Sequence, residues 1–497
     1  MSDLIEYIEK LKNCMGGGIN PSNYFFSPQF NKIKGIASNI VSFNLLKQPI
    51  GIGVEQDTQT IEMMFGVAYS GNFYVPIDCA LPEERLSLIL KDLKLFLCKK
   101  SQLNETLKNL LEKLKIPFLV YEDNLNLDIK NEIKLDQIKN NISLDDPLFM
   151  IYTSGSTGTP KGVIKSHGAM AFFINQFLEK YNLNENDIIA NQTPLYFDAS
   201  SKDIYLSLIS KAKLLFVPKQ LFSFPVKLIE FLNEYKATTL FWVPSALSIV
   251  AKLKTFSYIL PQSLKQIFFV GETFPIKYLN YWAEHLPSVK LVNLYGSSEM
   301  AGVICSYDII HPLDETQKLP IGKPFKDCNI FIVDEKGEIA QQGEMIIESQ
   351  SLASGYYNDL QKTSEKFISI EINGRVRRFF KSGDIAEKDQ EGNLLFVSRN
   401  DFQIKHMGHR IELGDIETAA YSFKEIEDCC CCYDCERQKI IMYFKTCDNI
   451  ILEAKTLKIM FSQKLPDYML PARYIQMGEL PKNKNGKIDR QKLKEMI

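Results

Sequence analysis

The chain has no run of about 18 apolar residues, the length a membrane-crossing helix needs. Its N-terminus, MSDLIEYIEKLKNCM, lacks the basic start and long apolar core of a secretory signal. A cytoplasmic protein is expected. A surplus of one charge is lacking too: 58 basic and 60 acidic residues leave a net charge of −2. That argues against a nucleic-acid footprint and against attachment to an anionic membrane, so neither is expected as a partner. The five histidines, His167, His285, His311, His406 and His409, contain no helix-spaced pair of the H-E-x-x-H kind, and no catalytic metal cage is expected. No internal repeat or extended low-complexity tract occurs, which excludes solenoids and propellers.

What is present is enough for at least two hydrophobic cores: 497 residues, 45% of them apolar. Eleven cysteines are modest for this length, but five fall between 429 and 435 in the run CCCCYDC. Adjacent cysteines on a strand point alternately to its two faces and cannot easily converge on one zinc ion. The run reads as a buried strand built from small apolar thiols.

The most informative stretch is YTSGSTGTPKGV, residues 152 to 163, directly after the apolar run 148 to 151. Gly155, Gly158 and Gly162 let backbone N–H groups approach an anion closely, while Thr153, Ser154, Ser156 and Thr157 add hydroxyl donors. Lys161 supplies positive charge. The stretch is not a Walker loop, because Pro160 stands where Gly precedes the Lys and Gly162 where Ser or Thr binds magnesium. A flexible linker is disfavoured, since linkers rarely follow a buried strand and rarely carry an internal Pro-Lys-Gly.

Between about 225 and 300, helical and strand-like segments alternate: 226 to 235 helical, 238 to 243 strand, 267 to 270 strand, 276 to 286 helical and 289 to 294 strand. In such α/β sheets ligands gather beyond the carboxyl ends of strands, which makes Gly271-Glu272 and the loop from Tyr295 to Glu299 natural site loops. The Asn-, Asp- and Lys-rich segment 121 to 146 reads as a surface excursion. Near residue 400 the pattern changes to a polar stretch, 398 to 409, then the segment 410 to 421, the cysteine strand and a Pro-punctuated tail. This predicts a hinge opening a small C-terminal domain of about one hundred residues.

Seven further islands fall in order: YVPID (74–78), FDAS (197–200), NLYGSSE (293–299), SGD (382–384), RNDFQIKHMGHRIELGDIE (399–417), LPDYMLP (465–471) and NKNGKID (483–489). With the phosphate loop, they resemble the adenylate-forming superfamily over nearly the whole chain. The resemblance is closest to amino-acid adenylation domains of nonribosomal peptide synthetases and to D-alanine:carrier-protein ligases.

It implies an α/β fold of two domains: a large N-terminal domain with layered sheets, residues 1–400, and a small mobile α+β lid, residues 401–497. It also implies two reactions. A carboxylate attacks the α-phosphate of ATP to give acyl-AMP and pyrophosphate, and a thiol then takes the acyl group. Attack on a polyanion calls for cations around the phosphoryl group and for aligned reactants. By resemblance, Lys487 reaches substrate carboxylate and α-phosphate, Glu299 binds Mg2+, and Tyr295 stacks on adenine with Asn293 and the backbone of Leu294, Gly296 and Ser297 nearby. Ser298 donates to phosphate. Asp384 and Arg399 hold the ribose, Asp401 is the hinge, and Gly408 lines the thiol's path.

Asp198 would pair with the α-ammonium of an amino-acid substrate, because a buried carboxylate without a cation is costly; alternatively it caps the helix that follows. The remaining pocket walls would be Ala199, Lys202, Phe241, Phe268, Val270, Leu294, Gly302 and Val303. They fit a small or aliphatic side chain, whereas Lys202, if directed inward, would suit an acidic one. Only ten residues follow Lys487, so the acceptor is expected to be the phosphopantetheine thiol of a separate carrier protein. The departures are Ser297-Ser298 for Pro-Thr, SGD for TGD, Ser398 for Gly and Ser354 for Arg. An acyl-CoA synthetase and a non-catalytic nucleotide-binding module are the rival readings.

Overall fold

Strands Pro49–Gly53 and Phe73–Ile77 are buried at every position, as parallel strands covered by helices on both faces must be. They lie inside a sheet of seven strands in the order Gly355–Tyr356, Lys161–Ser166, Pro147–Thr153, Phe73–Ile77, Pro49–Gly53, Leu95–Lys99 and Phe118–Tyr121. The last five are mutually parallel, and the first two add antiparallel edges. These relations come from a computed structural model that describes residues 3–10, 24–26, 28–121, 129, 131–154, 159–310, 313–372, 374–447, 450–482 and 488–497.

A second sheet of seven strands contains the elements read from the alternating pattern. Strands Thr239–Trp242, Gln266–Val270 and Lys290–Tyr295 lie side by side and parallel, with helix Pro225–Glu234 ahead of them and helices Pro244–Lys252 and Ile276–His285 between them in sequence. The two sheets share one large core, in which Phe149 and Phe241 both take part. An antiparallel sheet follows, and in it Asp384 of strand Arg375–Lys388 sits directly opposite Arg399 of strand Leu394–Arg399. That register brings together two side chains fifteen positions apart.

Beyond residue 400 come the hairpin Gln403–His406 and His409–Glu412, helix Leu413–Tyr421 and a three-stranded sheet. The cysteine strand, Ile426–Asp434, is central to two small cores: Cys429 and Cys431 face one, Cys430 and Cys432 the other. Burial pushes the Cys429 thiol up to about 12, consistent with packing rather than reactivity. The segment 121 to 146 contains helix Glu132–Asn140, of which only Leu135 is buried; most of its described residues are exposed, in keeping with a surface excursion. Leu135, fully buried in the main core, and Ile138, packed against it, anchor that helix; two apolar positions in a Lys- and Asn-rich background are too sparse a pattern to read.

Candidate active site

Thr153 and Lys161 are paired across antiparallel strands, so the phosphate-loop sequence leaves and re-enters the sheet at neighbouring points. Gly155, Ser156, Thr157 and Gly158 lie outside the described residues. The flanks are engaged by the C-terminal hairpin: Ser154 Oγ donates to the Arg410 carbonyl at 2.9 Å and accepts from the Glu412 N–H at 3.2 Å. Lys161 Nζ lies 3.3 Å from Glu412 Oε1.

Glu299 follows strand Lys290–Tyr295 and is almost fully buried. It pairs with Arg410 and accepts hydrogen bonds from Tyr356 Oη at 2.9 Å and Ser297 Oγ at 3.0 Å. Burial alone would raise this carboxyl, yet the Arg410 guanidinium and the two hydroxyls hold it down at about 2. An ionised, oxygen-only donor suits a hard divalent cation, and Arg410 occupies that role here.

Tyr295 Oη donates to Asp384, whose other oxygen takes Arg399. Arg399 also bonds Asp401 at 2.7 and 2.9 Å, tying the ribose candidates to the hinge candidate. Lys405 Nζ stands 5.5 Å from the Tyr295 ring centroid. Asn293 is turned away, donating to the Pro320 carbonyl at 2.7 Å. After Gly271, Glu272 accepts from Ser245 N–H and Gly408 N–H, both at 2.9 Å. Gly408 has φ +80°, and an added Cβ would meet Val243 at 2.8 Å; only glycine lets the hairpin tip approach this closely.

Several of these groups line a cavity of about 190 Å³. Thr153, Ser154, Gly271, Gly296, Ser297, Ser298, Asp384 and Arg399 line it, together with the pocket candidates Asp198, Ala199, Lys202, Val270, Gly302 and Val303. Phe241, Phe268 and Leu294 are core residues behind the wall, the two rings stacked 4.7 Å apart. Asp198 is the first residue of helix Asp198–Ser210; Phe197 holds the cap position and no side-chain cap forms. Capping is therefore not what Asp198 does. Lys202 is directed inward, donating to Asp203 at 2.9 Å and the Ala199 carbonyl at 2.8 Å, and sits over the Phe241 ring. Lys487 lies outside the described residues; its neighbour Ile488 packs with Cys430 and Cys432, away from the cavity lining.

Four partners escaped sequence reasoning. Lys165, fully buried, forms an ion pair with Asp198. Burial raises the Asp198 carboxyl and Lys165 opposes that rise. Arg410 and Glu412 were read only as part of a motif, and Arg85 joins Asp415 of helix Leu413–Tyr421 at 3.3 Å. The available signal for Lys165 was its period-two spacing from the apolar Val163, which puts a lysine on a core-facing position.

Thr153 and Ser154 at the flank of the phosphate-loop sequence, the Asp384–Arg399 pair and the Arg410 that holds Glu299 thus meet at one cavity. Residues 32–357 match the AMP-binding enzyme family, and the chain belongs to it, as an adenylate-forming enzyme of the nonribosomal peptide synthetase adenylation type. It is 33% identical over 464 residues to Zwittermicin A synthase ZmaJ of Bacillus cereus, covering 89% of this chain and 84% of that protein. With Gramicidin S synthase 2 of Brevibacillus brevis it shares 29% identity over 453 residues, 89% of this chain but only 10% of that protein. The fold matches the Vibrio cholerae adenylation domain AlmE, solved with glycyl-adenosine-5'-phosphate, at TM-score 0.80 and 21% identity, over 99% and 96% of the two chains. It also matches PA1221, a nonribosomal peptide synthetase protein containing adenylation and PCP domains, at TM-score 0.81 and 20% identity, over 99% and 83%. Among the described residues no helix is long and apolar enough to cross a membrane.

Proposed function

We propose that this chain is an amino-acid adenylating ligase that uses ATP to form an aminoacyl-AMP and then passes the acyl group to the phosphopantetheine thiol of a carrier protein on a separate chain. The carrying observation is convergence: Asp198, Asp384 and Arg399 line one cavity, and Glu299 is bonded to Arg410, a further lining residue. The fold likeness to PA1221, which contains adenylation and PCP domains, supports a carrier as the acceptor. We place the reaction in the cytoplasm, where ATP is available.

In the adenylating step, Asp384 and Arg399 hold the ribose hydroxyls, Tyr295 and the 293–298 backbone hold adenine, and Lys161 with the loop amides and hydroxyls holds the phosphates. Asp198 orients the acid by its ammonium. Lys487 brings the main cation to the α-phosphate, lowering the repulsion between carboxylate and polyanion. Glu299 would hold magnesium, which supplies charge neutralisation on the phosphates when bound.

The lid boundary falls near residue 400, with Asp401 as hinge. In the arrangement described, the hairpin puts a cation, Arg410, on Glu299 and a carboxylate, Glu412, on Lys161. Magnesium and pyrophosphate need those same two groups, so hairpin docking and nucleotide loading exclude each other. This arrangement therefore corresponds to the transfer step, with Gly408 beside the thiol's path. Incubation with ATP, a labelled amino acid and a phosphopantetheinylated carrier tests the reading: label on the carrier thiol is expected, and free aminoacyl-AMP with no thioester on any carrier would sink the transfer half.

A second reading, ligation of a carboxylic acid without an amino group, is favoured by one observation: Asp198 already has a cation in Lys165.

A further inference from the structure

Phe149 lies opposite Lys165 across the sheet, and strand alternation sends Lys165 to the same side as Val163, a core residue. The lysine is as fully buried as that valine. Its ammonium stands 5.5 Å from the Phe149 ring centroid and donates to Asp198 Oδ1. Asp198 lines the cavity and Lys165 does not; seen from the pocket, the carboxylate is in front and its cation behind. The other charged groups acting on the pair are Glu299 and Lys202, and Lys202 is committed to Asp203 and the Ala199 carbonyl.

A carboxylate at the bottom of a pocket attracts a substrate ammonium because it otherwise lacks a counter-charge. With a lysine fixed behind it, an incoming ammonium meets an attraction and a repulsion of similar size. We infer that Lys165 is a specificity-determining residue acting through Asp198: by neutralising the carboxylate in advance, it makes the α-amino group a weak requirement, so the pocket takes carboxylic acids with and without that group. This deepens the ligase reading above and rests on it.

The test is acid-dependent ATP/pyrophosphate exchange by the purified full chain on pairs that differ only in the amino group: alanine and propanoate, valine and 3-methylbutanoate, phenylalanine and 3-phenylpropanoate. For the pair used best, wild type is expected to show kcat/KM values within about tenfold of each other. Lys165→Met leaves Asp198 dependent on the substrate's cation and is expected to shift the ratio toward the amino acid by at least about tenfold, while Lys165→Arg keeps the wild-type ratio. A merely structural lysine would lower both activities in parallel. An unchanged ratio in Lys165→Met, or a wild type already selecting the amino acid by about a thousandfold, overturns the inference. If Lys165→Met does not fold, Lys165→Gln is read in the same way. A wild type that binds ATP but exchanges with none of the acids overturns the ligase reading itself, a separate outcome from an unchanged ratio.

Discussion

Replacing Arg410 with Met removes the cation that the docked hairpin places on Glu299. Glu299 is 2% exposed and Arg410 19%, so solvent screens the pair weakly. Removing one partner of a buried pair costs about 3–5 kcal/mol, because the other charge is stranded. The partial exposure of Arg410 favours the lower end, about 3 kcal/mol, or roughly a hundredfold in population. On the proposed two-step reading, a state with the hairpin withdrawn escapes this cost, because there Glu299 would hold magnesium instead. The penalty therefore falls on one half-reaction. In single-turnover assays, acyl transfer to a phosphopantetheine thiol is expected to slow by about a hundredfold while acyl-adenylate formation stays within about threefold. Lys161–Glu412 and Arg85–Asp415 still anchor the hairpin and lid, so transfer is not abolished. Equal losses in both steps, or transfer at the wild-type rate, would refute the claim that the hairpin and the loaded nucleotide compete for the same groups.

Lys487→Ala should leave ATP binding nearly intact and slow adenylation by at least about a hundredfold, measured by pyrophosphate exchange. Gly408→Ala combines a backbone at φ +80° with a Cβ 2.8 Å from Val243, so thioester formation should fall while exchange persists. Asp384→Ala deprives Tyr295 and Arg399 of their shared acceptor, and KM for ATP should rise by at least about tenfold. Burial pushes His167 down to about 4 from 6.5, with Asp146 partly opposing. Between those values the unfolded chain binds more protons, so stability rises with pH through this window, is fully present above about 6.5 and is lost as pH falls toward 4. The full effect is about 3 kcal/mol, so the loss of melting temperature between pH 7 and 4.5 should be smaller in His167→Gln than in the wild type, the remainder coming from groups such as His409, which burial pushes down to about 3.

What was legible in the sequence followed from short-range rules. The strands 239–242, 266–270 and 290–295 and the helices 225–234 and 276–285 came from apolar periodicity, and the cysteine strand from alternation; helix 244–252 was not read. The active-site candidates came from islands whose residue types match a demanding chemistry, and most of those described line one cavity. The misses concern pairings across the chain. Lys165 and Asp198 are 33 positions apart, Glu299 and Arg410 are 111 apart, and Arg85 and Asp415 are 330 apart; periodicity carries no information about such distances. Helix 132–140 was missed because only Leu135 and Ile138 bind it to the core. Asp198 shows what that blindness costs: the argument for an ammonium substrate assumed a carboxylate without a partner, and the fold supplies one.

The central claim, that this chain activates a carboxylic acid as its adenylate, is tested most directly by ATP/pyrophosphate exchange across the proteinogenic amino acids, D-alanine and a set of aryl and fatty acids. Exchange that depends on one acid or a small group of related acids, and that disappears in Lys487→Ala, is the predicted result. A protein that binds ATP with Asp384 and Arg399 intact, yet exchanges pyrophosphate with no acid in the set, would contradict it.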